Sequence, residues 1–182
     1  MPNALNVSAA KPAVGGVAYV APLGSTLPTD ATTALDAAFV ELGYLSEDGI
    51  TNTTDISSNT IKEMGGKSVL TTQESKDDGF SFKLIEALNL DVLKTIYGSS
   101  NVTGTVSTGA AVSATSEEMD DCAWVFEILM RGDVLKRIVI PIARISELGD
   151  ISYTGSDAIG YEVTLAVSAN SSGVNHYEYL KG

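Results

Sequence analysis

The stretch "FSFKLIEALNLDVLKTIYG", residues 80–98, decides the fold. It opens with period-two alternation, Phe80, Phe82 and Leu84 on one side and Ser81 and Lys83 on the other, the pattern of a half-buried strand. The period then turns helical, with Leu90, Leu93, Ile96 and Tyr97 falling within two turns. Asn89 reads as the N-cap and Gly98 as the C′ residue that ends the helix in the left-handed conformation. Almost everything outside this one short helix reads as strand and turn.

On the N-terminal side, residues 1–15 are small and weakly patterned and read as an arm, and "GVAYVAP" (16–22) reads as a first strand. Residues 23–36 form a Pro-, Thr- and Gly-rich loop with room for one helical turn after Pro28. "AFVELGYL" (38–45) leads into "SEDGI" (46–50), whose Asp48-Gly49 pair predicts a turn. "ITNTTDIS" (50–57) suits a strand exposed on one side. The segment 58–79, with paired Gly65-Gly66 and an acidic turn at Asp77-Asp78-Gly79, reads as a long excursion between two sheet strands and is compatible with a hairpin of its own. Structured excursions of this length are usually functional or disordered.

Beyond the helix, residues 99–116 alternate Val with Ser, Thr and Gly and are β-rich. "CAWVFEILMRGDVLKRIVIPIARI" (122–145) is two apolar strands joined at Arg131-Gly132-Asp133. Pro141 inside the second strand predicts an edge or a bulge, because proline cannot donate to a ladder. Residues 149–155 and 158–169 predict a further antiparallel pair. Residues 171–182 form a final strand or arm. No period of 20–50 residues repeats.

Composition agrees with one sheet-rich domain: 182 residues, 44% apolar, 17 Gly and 19% charged residues. The charge balance, 23 acids against 11 bases for a net −12, argues against stationary binding to nucleic acid, which needs Lys and Arg to displace phosphate counterions. The densest basic run, Arg131, Lys136 and Arg137, is set among acids. Cys122 is the sole cysteine, in an apolar run, and reads as a buried structural thiol with no disulfide and no thiolate metal cluster. No secretory signal and no stretch of 18 apolar residues is visible.

Most catalytic constellations fail on inventory. The sole histidine, His176, is the seventh residue from the end of the sequence and reads as a solvated tail side chain; no G-x-S-x-G elbow accompanies it. The acidic runs "SEEMDD" (116–121) and "KDDG" (76–79) lack calcium-loop spacing and read as charged turns. "VGGVAYV" lacks the lysine and the spacing of a phosphate loop. The residues give no catalytic set, and no cofactor is expected.

The order of elements carries more than any single residue. "AFVELGYLSEDGI" (38–50), "FSFKLIEALNLDVLKTIYG" (80–98) and "RIVIPIARISELGDISYTGSDAIGYEVTLAVSA" (137–169) in succession resemble the major tail tube protein of long, flexible-tailed bacteriophages. The likeness rests on the "SEDGI" turn, the strand ending at Glu86, the helix ending at Tyr97-Gly98 and the Arg137-to-Pro141 strand, and spans roughly residues 16–170. It implies a mainly β fold, an antiparallel β-sandwich over 16–170 with one short flanking helix, an arm over 1–15 and a C-terminal strand or arm over 171–182.

By the same resemblance the chain is a structural virion protein whose homohexameric rings stack into a hollow tail tube for DNA delivery. Its partners are then copies of itself, tape-measure, terminator and tail-tip proteins, and viral DNA passing transiently through the lumen; no membrane is involved. Assembly takes place in the host cytoplasm. The helix becomes a bracket, with Leu90, Leu93 and Ile96 covering apolar sheet ahead of Gly98. Edge-to-edge pairing between subunits would remove exposed strand edges. An acidic wall would let DNA slide, with Asp55 and Glu63 as candidate lumen-facing acids. Gly65, Gly66, Lys67, Asp77 and Asp78 are candidates for contact between rings. The competing reading is a β-sandwich interaction module, a capsid-decoration or surface-adhesion domain, with Trp124 or Tyr153 stacking on a ligand.

Overall fold

A computed structural model of the chain describes residues 2–13 and 17–182; the expected junction between arm and body at residues 15 and 16 lies outside them. In chain order the elements are β1 (Lys11–Pro12), β2 (Ala18–Pro22), β3 (Val40–Glu41), β4 (Leu45–Lys62), β5 (Ser68–Leu84), α1 (Leu90–Tyr97), β6 (Val102–Thr105), β7 (Gly109–Val112), β8 (Cys122–Leu129), β9 (Leu135–Leu148), β10 (Tyr161–Val167) and β11 (Tyr177–Lys181). Among the described residues β6 and β7 make a separate ribbon. The others join one antiparallel sheet ordered β3-β2-β8-β9-β10-β5-β4, with β1 added to β8 and β11 added to β9.

That sheet is folded on itself into two facing layers, the sandwich that the family resemblance implied. β5 and β8 are three places apart in the strand order, which in a flat sheet is about 14 Å. Yet the ring of Phe82 lies 5.7 Å from Trp124 and 5.2 Å from Phe126, centroid to centroid. Alternation makes this possible. Phe80, Phe82 and Leu84 pair across the ladder with Leu165, Val163 and Tyr161, and all six side chains are buried on one face.

Helix α1 closes one side of this core. Asn89 is its N-cap, with Oδ1 accepting from the Asp91 backbone N–H at 3.0 Å. The buried helical side chains are Val92 and Ile96, an i, i+4 pair, while Leu93 and Tyr97 are half-buried against the core and Leu90 is half-buried. Gly98 has φ +92° and ψ 140°, so it is extended with positive φ rather than left-handed helical. The last-turn carbonyl of Tyr97 is instead satisfied by the side-chain amide of Asn101 at 2.8 Å.

β9 is central rather than an edge, and Pro141 marks a bulge in it. The pairs Trp124–Ile140 and Cys122–Ala143 leave one extra residue on β9. The same point is where β9 changes its other neighbour, from β11 over Leu135–Val139 to β10 over Ala143–Leu148. A missing N–H is cheapest where the ladder is already interrupted. On the face opposite the main core, the guanidinium of the buried Arg137 binds Glu127 and donates to the carbonyls of Asp30 (2.8 Å) and Thr33 (2.7 Å). This ties down the 23–36 loop, which has no helical turn after Pro28. The Asp30 carboxylate accepts from the Thr32 and Thr33 amides there.

Three expected turns or strands are otherwise in the structure. Asp48-Gly49 does not reverse the chain: Leu45 and Ile50 pair with Leu84 and Phe82, so Ser46–Gly49 loop out of β4 opposite Lys83 as a wide bulge, with Gly49 at φ +73°. Asp77-Asp78-Gly79 is continuous β5 strand. Residues 149–155 form no strand, and β10 pairs with β5 and β9 instead. The Arg131-Gly132-Asp133 turn is present, with φ +75° at Gly132 and +61° at Asp133.

Candidate assembly surface

β4 and β5 run on together well past the body of the sheet. From Thr53 to Lys62 the ladder continues for ten residues of β4 against Ser68–Gly79 of β5, about 30 Å at 3.3 Å per residue. Over this length almost every side chain is exposed, including Ile56, Ile61, Val69 and Leu70, with Met64 fully exposed at the tip. Serine and threonine pairs, Ser57–Ser75 at 3.0 Å and Thr60–Thr71 at 3.2 Å, fix the register. The tip closes with the Glu63 amide donating to the Lys67 carbonyl and the Gly66 amide, at φ +86°, donating to the Glu63 carbonyl. A two-stranded ribbon with no covered face is only marginally stable in water.

The ribbon is clamped where it leaves the body. Asp78 is 7% exposed, and its carboxylate accepts from Thr54 Oγ1 (2.8 Å) and Asn175 Nδ2 (3.1 Å) and lies 3.2 Å from His176 Nδ1. Burial pushes its acidity down, but those two hydrogen bonds and the nearby imidazole outweigh burial and hold the carboxyl below its usual range. His176 is therefore no solvated tail side chain. It closes the clamp and stands edge-on to Phe80 at 5.4 Å.

A family model described as Phage tail tube protein matches residues 3–181. The chain belongs to the phage tail tube protein family. No curated protein is similar enough to count as a match. The chain is thus a structural component of the virion tail.

The tail tube fold distributes the candidate residues unevenly. Asp55 and Asp77 face each other across the ribbon, so one lumen candidate and one ring-contact candidate are cross-strand neighbours of like charge. Glu63, Gly65, Gly66 and Lys67 gather at the tip. Asp78 belongs to neither group but to the clamp. Leu90, Leu93, Ile96 and Gly98 lie on or just after α1, where Val92, missed in the sequence, is more buried than Leu93. Of the two ligand-stacking candidates, Trp124 is 1% exposed in the core and Tyr153 is exposed. Cys122 is half-buried, and burial raises its thiol pKa. Among the described residues no group of three or more His, Cys, Asp and Glu side chains could hold a metal ion.

Sequence reasoning missed Thr54, Asn175 and His176 as a set. Nothing local signals them, because their common partner is remote in the chain. The only trace is that Tyr177 and Tyr179 alternate directly after His176, as a strand would.

Proposed function

We propose that the chain assembles into six-membered rings that stack to form the tail tube, the conduit for viral DNA, and that the β4–β5 ribbon is the main contact between rings. Family membership supports the tail role. The observation that carries the assembly reading is the ribbon itself, about 30 Å of paired strand exposing Ile56, Ile61, Met64, Val69 and Leu70. A monomer gains nothing from such an element, whereas a neighbouring subunit that covers it gains apolar burial at about 25 cal/mol per Å².

In this reading assembly starts in the host cytoplasm, with tail-tip, tape-measure and terminator proteins bounding the stack, and the acidic balance of the chain lets DNA pass without holding it. A variant with Ile56–Lys76 replaced by a two-residue Asn-Gly turn tests it. Its melting should stay close to that of the full chain, because the removed residues lie outside the core, while tubes should be lost. Full-length tubes from the trimmed variant would refute the assignment of the ribbon to ring contact.

A further inference from the structure

We propose that the receptor for the ribbon tip is a groove beside α1 on another copy of the chain. The inference rests on the assembly reading and names the surface that the reading leaves open.

The groove is a cavity of about 1010 Å³ between the C-terminal half of α1, the end of β2 and residues 114–122. That is the upper end of the range for pockets that bury whole ligands, and suits a chain turn better than a single side chain. Its lining includes Trp124, which is 1% exposed.

The rim is acidic. Arg144 binds Glu118 and Asp121, and Lys94 binds Asp91, which leaves Glu117 and Asp120 exposed with no ion-pair partner among the described residues.

The ribbon tip carries the complementary features. Lys62 and Lys67 flank it, exposed and without ion-pair partners among the described residues, on a chain whose net charge is −12. Met64 is the fully exposed apolar group between them, and its unbranched thioether adapts to irregular gaps. Gly65 and Gly66 follow it, so the turn can come close to the groove with no side chain in the way. In the docked pair Met64 enters the groove, and Lys62 and Lys67 meet Glu117 and Asp120.

Charge exchange tests this directly, on full-length chains with the tail-tip proteins supplied to start assembly. The pair Lys62→Glu and Lys67→Glu, and separately the pair Glu117→Lys and Asp120→Lys, should each cut sedimentable tubes at least about tenfold, since like charges then meet. All four residues are exposed, so each variant should melt as the parent does. Combining the four substitutions should restore tubes. Parental tube yield from either pair alone would overturn the proposal, and so would failure of the fourfold variant to recover while its melting is unchanged. Absence of tubes from the unsubstituted chain would instead overturn the assembly reading, and the docking with it.

Discussion

Asp78 Oδ2 and His176 Nδ1 lie 3.2 Å apart although 98 residues separate them in the chain. The contact ties the root of the projecting ribbon to the segment leading into β11. The direction in which the ribbon leaves the body is therefore set by the C-terminal segment as well as by β10.

Removing the clamp should loosen the root of the ribbon before it loosens the core. Asp78→Ala leaves Thr54, Asn175 and His176 without their shared acceptor, and losses of that kind cost about 1–3 kcal/mol. Amide exchange should quicken at Thr53–Ser57 and Ser75–Gly79 while the Val163 amide stays protected. Equal acceleration at all these sites would show that Asp78 supports the whole fold.

Acid should act on the same group. Because the native structure holds the Asp78 carboxyl below its ordinary range, its contribution is complete above the unfolded value near pH 4 and is lost as pH falls through the lower folded value. The melting temperature of the subunit should fall more steeply below about pH 4 in the parent than in Asp78→Asn. Parallel pH profiles would exclude Asp78 as a source of acid sensitivity.

The helix offers a graded series. Ile96→Ala, at a 2% exposed position, should cost about 2–5 kcal/mol, and Leu93→Ala, half-buried, should cost less. Gly98→Ala must hold φ near +92° and brings a Cβ to 3.2 Å from the Asn101 amide, so a loss of about 1 kcal/mol or more is expected. Thermal melts rank the three. An Ile96→Ala variant melting like the parent would mean that α1 does not cover the sheet.

Arg137→Ala should free the 23–36 loop. It strands Glu127 and removes two carbonyl contacts, but Glu127 is 21% exposed and water can reach it. The loss should therefore fall at or below about 3 kcal/mol, the lower end for broken buried pairs. Limited proteolysis between residues 23 and 36 should accelerate, and unchanged cleavage there would contradict the tether.

How far the sequence could be read depended on whether the deciding interaction was local. Alternation over 80–84 and the Asn89 cap are local, and strand and helix were legible from them. Asp48-Gly49 misled because positive φ at glycine serves a bulge as well as a reversal, and the two differ only in what pairs afterwards. Asp77-Asp78-Gly79 misled for a related reason. A run of acids and a glycine looks solvated until Asn175 and His176 arrive to satisfy the buried carboxylate. The central place of β9 was hidden by Pro141, whose change of neighbour from β11 to β10 is a property of the whole topology. The acidic groove beside α1 combines residues from five separate stretches and had no sequence signature.

The most direct test of the central claim is a cryo-electron-microscopy reconstruction of the chain after incubation with tail-tip proteins under assembly conditions. The account predicts a hollow tube of stacked rings in which residues 53–77 of each copy are buried against a neighbouring ring. Monomers, or rings whose ribbons stand free in solvent, would contradict it.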